Sequence, residues 1–323
     1  MIHSVKARLW LTGIALGVLP SQTQAQEAYP SRRINVIVAA GAGGFADGVA
    51  RIVGDRLQAS LGQSVIVENR AGAGGNIGAR AVAKAAPDGY TILVSTTSMA
   101  INETLYENMG YATSEIVPVA IAGSSPEVIA VHPSHPAKTL AEFLRPADGL
   151  PVQYGTAGNG TGSHIAAEYL FRVIAKAPAQ HVPFAGGAPA IANVLANQLN
   201  AVVATMPALT EHIEAGKLRG IGVASAKRAK AIPGVPTLGE AGFPDYYAAS
   251  WVGFFVPSAT PAAITARLNG SINDALRIPD VQARMEKIGL EITINDLPAT
   301  AKYFQNEIAF WSTRVTAIGI KVK

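Results

Sequence analysis

Hydrophobic and polar positions alternate between two periods along this chain. The stretch "INVIV" at 34–38 is an almost unbroken apolar run of strand length. Beyond a glycine turn, Val49, Ile52, Val53 and Leu57 recur at the three- and four-residue spacing of one helical face, and Gly62 marks the stop. A second strand is expected at 64–67, then the glycine run Gly72-Ala73-Gly74-Gly75 and a helix of about ten residues ending at Pro87-Asp88-Gly89. Residues 90–94 read as a third strand. Strand, glycine turn and helix in repetition predict a parallel, doubly wound sheet.

A second set of the same kind begins near Val128. Strands are expected at 128–131, 152–154, 181–184, 201–204 and 220–224, with helices at 163–175 and 189–196 among them. After Phe243-Pro244 comes an apolar run at 251–256, then two helices beyond Pro261, a strand at 291–294 and a final helix at 298–318. Tyr303, Phe304, Phe310 and Trp311 lie on that helix at a spacing that predicts core packing. No long flexible segment separates the two sets, so the expected fold class is α/β: two doubly wound lobes, tightly connected, around a central cleft.

Composition supports a large folded core: 323 residues, 49% hydrophobic and only 15% charged. The first residues stand apart. Lys6 and Arg8 precede the apolar run 9–19, and Thr23-Gln24-Ala25 supplies small residues at a cleavage position, which predicts a secretory signal peptide over 1–25. The run is about half the roughly 20 residues that a membrane span needs. Its removal takes away two bases and no acid, so the formal charge of +4 falls to +2. Nucleic-acid binding is therefore not expected. Zero cysteines exclude disulfides, thiolate metal sites and cysteine nucleophiles.

The candidate chemistry lies in two glycine turns. Gly41-Ala42-Gly43-Gly44-Phe45-Ala46 satisfies the G-x-G-x-x-A dinucleotide fingerprint, and Glu68 ends the next strand where a ribose-binding acid would stand. The stretch "VQYGTAGNGTGSHIAAEYL" repeats the design in the second set, with Gly155, Gly158, Gly160 and Gly162 interleaved with Thr156, Asn159, Thr161 and Ser163. Two such turns, one per lobe, predict an anion clamp built from backbone N–H groups and helix N-termini. Hydrogen bonds to a charged group contribute roughly 1.5–3 kcal/mol each, so four to six sustain micromolar binding, about −8 kcal/mol, after association costs. In a sheet ordered 2-1-3, Ser95 and Thr96 at the end of strand three would share the first turn's crevice, whereas Gly72–Gly75 is expected to be structural. Asp47 is open to two readings, a helix cap or a ligand contact. His164 likewise either touches ligand or orients its turn.

Catalytic patterns are missing: no G-x-S-x-G, H-E-x-x-H or G-x-x-x-x-G-K-[ST] occurs. His132 and His135 each precede a proline in a turn-like segment, and neither a metal nor a cofactor is expected. Three function classes remain at this point: a transport receptor, an exported ligand sensor signalling through a partner, and a nucleotide-dependent oxidoreductase. Export and the lack of a proton-transfer pair count against the last.

The stretches "YPSRRINVIVAAGAGGFADGVAR", "VIVENRAGAGGNIGARAVAKAAPDGYTIL", "YGTAGNGTGSHIAAE", "HVPFAGGAPA", "HIEAGKLRGIGVASAKR" and "VPTLGEAG", with the closing Trp311 helix, form an ordered set spanning the mature chain. In these the chain resembles the Bug family of extracytoplasmic solute receptors, which serve tripartite tricarboxylate transporters. The resemblance implies a type 2-like periplasmic binding protein, with lobe 1 built from 26–126 and 248–323 and lobe 2 from 127–247. It implies a periplasmic monomer that is not an enzyme, takes a small carboxylate and delivers it to integral-membrane transporter subunits, closing about a hinge. The implied ligand-binding residues are Gly43, Gly44, Phe45, Ala46 and Asp47 in the first turn, with Ser95 and Thr96 beside it. In the second lobe they are Ala157, Gly158, Asn159, Gly160, Thr161, Gly162, Ser163 and His164, joined by Phe184 and Thr205. The chain departs from the family pattern at Ala42, Phe45, Ala185 and Ala204-Thr205, replacing polar groups and adding a phenyl ring. Those departures point to a less polar, aromatic carboxylate.

Overall fold

The computed structural model describes residues 29–145 and 149–322; the expected signal peptide lies outside them. The first unit runs β1 (Ile34–Val38), α1 (Phe45–Leu61), β2 (Val65–Asn69), α2 (Asn76–Ala83), β3 (Thr91–Thr96) and α3 (Ser98–Leu105). β1 pairs in parallel with both β2 and β3, so their order is 2-1-3 as expected. The second unit repeats this with β5 (Val152–Thr156), α5 (Gly162–Glu168), β6 (Ala179–Pro183), α6 (Gly187–Leu195) and β7 (Ala201–Thr205). There β5 lies between β6 and β7, again in parallel. Both glycine turns therefore follow the central strand of their unit, at equivalent positions.

The sheet is mixed rather than wholly parallel, because two long strands join the units. β4 (Ile116–Val131) covers 16 residues, of which the sequence pattern announces only the last four. Pro118, Gly123 and Pro126 read locally as breaks, yet the strand continues, with its register against β9 (Ala249–Pro257) shifting at Pro118/Ala120 and Ile121/Gly123. Through Pro126 β4 pairs with β9; from Glu127 it pairs with β7 and with β8 (Arg219–Val223) instead. β9 in turn pairs antiparallel with β3. These two strands carry the backbone from one unit to the other.

Between them the chain forms α4 (Leu140–Phe143) and α7 (Met206–Glu214); after β9 come α8 (Ala262–Arg277), α9 (Pro279–Lys287), β10 (Glu291–Ile292) and α10 (Leu297–Ile318). α10 packs on α3 and β4. Phe304 and Trp311 are buried on it, as their spacing predicts. The indole N–H groups of Trp251 and Trp311 both donate to Glu307 Oε2, at 2.8 and 2.9 Å, which pins α10 to β9. α5 does not end at Glu168 but continues through a π-helical turn, Tyr169–Ile174.

Candidate functional site

The C-terminal ends of the parallel strands gather the expected residues into two groups. In the first unit, the turn at 39–44 leaves β1 beside the end of β3, where Ala39 N–H donates to Val94 O at 2.9 Å. Ser95 is buried at that strand end, and Thr96 Oγ1 accepts from Ser98 N–H at 3.4 Å. Helix geometry leaves the N–H groups of Phe45, Ala46 and Asp47 without an acceptor inside α1. The first bond of that helix runs from Gly48 N–H to Gly44 O, 3.0 Å.

Asp47 is the third residue of α1 rather than its N-cap. The N-cap, Gly44, receives no side-chain bond. Asp47 Oδ2 reaches back to accept from Gly43 N–H at 2.8 Å and from Arg51 Nε at 3.1 Å. Arg51 also donates to Asn69 Oδ1, and Asn69 Nδ2 to Ala40 O, so the turn is laced to the end of β2. Burial works to raise the Asp47 pKa, but the bonds from Arg51 and Gly43 outweigh it and hold the carboxyl below its usual range. Asp47 thus shapes the turn, and Gly43 N–H is committed within it. Glu68 forms an exposed ion pair with Arg70, 2.8 Å, on edge strand β2.

The second turn is more enclosed. Thr161 caps α5: its Oγ1 accepts from His164 N–H at 3.3 Å and donates to Gly158 O at 2.8 Å. This leaves the N–H groups of Gly162 and Ser163 without an acceptor inside α5. His164 is an internal brace. Its Nδ1 accepts from Gly160 N–H at 3.3 Å, and its ring stacks on His181 with centroids 4.0 Å apart. Burial pushes the His164 pKa down to about 4, and burial followed by the His164 ring takes His181 to about 3, so both are neutral at physiological pH. His181 Nε2 in turn meets Thr156 Oγ1 at 2.7 Å.

Gly160, with φ +76°, faces α3: a Cβ there would stand 2.8 Å from Asn102 Oδ1 and 3.2 Å from Leu105. The second turn is therefore seated on a helix of the first unit. Gly162 is glycine for want of space, since an added Cβ would lie 2.2 Å from Ser250 Oγ and 3.2 Å from Glu127 Oε1. Ala157 is half-buried and Asn159 exposed on the rim of the turn. Phe184 follows β6 with its N–H on Thr156 O at 3.2 Å, and its ring packs over Gly155 in a core with Ala190 and Leu199. Thr205 ends β7 directly across from Glu127 in register.

Sequence reasoning missed Glu127. It is buried, accepting 2.7 Å from Ser163 Oγ and 2.6 Å from Ser250 Oγ. Its signal was present as a lone acid in the apolar strand "EVIAV". Thr97 was missed too; its Oγ1 accepts from Trp251 N–H at 2.9 Å and ties α3 to β9. His132 and His135 each bond within their own turn, to Ser134 and Ala137.

Two α/β units of equal topology, joined by paired strands and each presenting a glycine turn and a helix N-terminus at its strand ends, define a two-lobed solute-binding protein. Residues 49–320 match the model of the tripartite tricarboxylate transporter family receptor, and the chain belongs to that family. Three solved structures superpose closely. The periplasmic binding protein BugD is 29% identical, with a TM-score of 0.85 over 91% of this chain and 100% of that one. A protein of R. palustris solved with adipate is 30% identical, with a TM-score of 0.86 over 91% of this chain and 99% of that one. MatC from Rhodopseudomonas palustris, with bound malate, is 30% identical, with a TM-score of 0.83 over 89% of this chain and 100% of that one.

Proposed function

We propose that this chain is a periplasmic receptor that captures a small carboxylate between its two lobes and hands it to the membrane subunits of a tripartite transporter. The observation that carries this reading is the repetition of one device: a glycine turn and a helix N-terminus after the central strand of each unit. The N–H groups of Phe45, Ala46 and Asp47 on one side, and of Gly162 and Ser163 on the other, are the donors in this reading. Five such bonds at roughly 1.5–3 kcal/mol each match micromolar affinity once association costs are met. The adipate and malate of the related structures are of the same chemical class.

The lobes are 26–126 with 248–323, and 127–247; the change of partners along β4 between Pro126 and Glu127 supports that division. The receptor is exported by cleavage after about Ala25, acts as a monomer and performs no covalent chemistry. Phe45, at the opening of α1, biases the site toward a weakly polar or aromatic acid. Mass spectrometry of small molecules released from the purified mature protein, followed by calorimetric titration with the acid found, tests the assignment. A released carboxylate that rebinds is the expected result. Saturable binding of NAD(P)H, with no carboxylate bound, would overturn it.

A further inference from the structure

Glu127 lies where β4 changes partners, 2% exposed, with one carboxylate oxygen on Ser163 and the other on Ser250. Ser163 is the second residue of α5, and a Cβ on the first, Gly162, would stand 3.2 Å from Glu127 Oε1. The carboxylate thus sits against the positive end of a helix that runs unbroken through its π-helical turn to Ile174. The groups facing it are the hydroxyls of Ser163 on α5 and Ser250 on β9, the phenol of Tyr246 before β9, and Thr205 across the register on β7. No lysine, arginine or histidine forms an ion pair with it among the described residues.

We propose that Glu127 makes ligand capture proton-linked: a carboxylate arriving at the N-terminus of α5 is accepted together with one proton from solvent, which Glu127 takes. This rests on the carboxylate reading above. A second negative charge at a helix end that already faces Glu127 is repelled; neutralising Glu127 removes the repulsion while the helix end stays available. The two serines serve both states, because a hydroxyl donates to a carboxylate and accepts from a carboxylic acid. Glu127 is a positioning residue, acting through α5. Burial, opposed by the bonds from Ser250 and Ser163, holds its pKa up at about 7 in the free protein, where a nearby anion easily tips it.

The test is calorimetric titration of the mature protein and Glu127→Gln with malate, adipate, citrate, benzoate and nicotinate between about pH 5.5 and 8.5. Each is run in two buffers of different ionisation enthalpy. Glutamine keeps both serine bonds and imitates the protonated acid. For wild type, Kd is expected to be flat below about pH 7 and to weaken by up to tenfold per pH unit above it, with proton uptake near zero at about pH 5.5 and rising toward one per ligand at about pH 8.5. Glu127→Gln is expected to show neither, and to bind more tightly than wild type at about pH 8. Carbon-13 carboxyl NMR of the wild-type protein, with the Glu127 signal assigned from its loss in the variant, provides a check free of the variant's own stability. Identical pH profiles and proton counts, or a Glu127 carboxyl already ionised below about pH 5, would overturn the proposal alone. Failure of every acid to bind either protein at any pH would remove the carboxylate reading, and this inference with it.

Discussion

Gly162→Ala isolates how the second turn is built. In the native chain Gly162 opens α5 against Ser250 and Glu127; the new Cβ would lie 2.2 Å from Ser250 Oγ, well inside van der Waals contact. Ser250 must rotate, and its 2.6 Å bond to Glu127 is lost. Overpacking costs about 1–3 kcal/mol and an abandoned bond to a buried carboxyl about 1–3 kcal/mol, so a loss of about 2–6 kcal/mol is expected. For a chain of this size that lowers Tm by roughly 3–10 °C. Ser250→Ala alone forfeits only that hydrogen bond, about 1–3 kcal/mol. In the double variant the clashing oxygen is gone and the Ser250 Cβ, 3.5 Å away, fits. Adding Gly162→Ala to Ser250→Ala should therefore cost little, giving a favourable coupling nearly as large as the Gly162→Ala loss itself, about 2–6 kcal/mol, in urea and thermal unfolding. Additive losses, or a Gly162→Ala protein within about 0.5 kcal/mol of wild type, would refute the reasoning.

Thr161→Ala removes the α5 cap and should cost about 1 kcal/mol of stability and several-fold in ligand affinity, with Thr161→Ser restoring both; unchanged unfolding curves would contradict the capping role. Gly160→Ala places a side chain at φ +76° and 2.8 Å from Asn102 Oδ1, so it should destabilise the fold itself by about 1–3 kcal/mol rather than silence binding on an intact scaffold. Glu307→Ala leaves two buried indole N–H groups unpaired and should cost about 2–5 kcal/mol with a changed near-ultraviolet dichroism; a spectrum like wild type would show that the indoles find other partners. Glu127 has a folded pKa near 7, above its unfolded value, so it contributes a loss of stability that grows as pH rises from about 4.5 and is complete above about 7. Glu127→Gln should therefore match wild type at about pH 4.5 and exceed it by about 3 kcal/mol at about pH 8, read from unfolding midpoints across pH. A constant difference at all pH values would rule out that titration.

Local periodicity made most of the elements visible before any coordinates. Apolar strands of about five residues and helices with one apolar face carry their period within a few turns of chain, so β1, α1, β5, α8, α9 and α10 were all legible. The two glycine turns were legible for the same reason, since strand, glycine run and helix start are consecutive in sequence. β4 was not, because Pro118, Gly123 and Pro126 are local breakers that only pairing with a distant strand, β9, overrides. The roles of the polar side chains were hidden as well. Asp47 as a brace on Gly43, His164 as an acceptor for Gly160, and Ser163 as a donor to Glu127 depend on partners brought together by packing, and Glu127 is joined to Ser250 across 123 positions. The sequence alone thus determined that each unit sets a helix start behind a glycine turn, because those residues are consecutive in the chain. Tertiary structure decided which N–H groups remain available there and placed a carboxylate beneath one of them, because burial and partner choice are set by what the rest of the chain brings alongside.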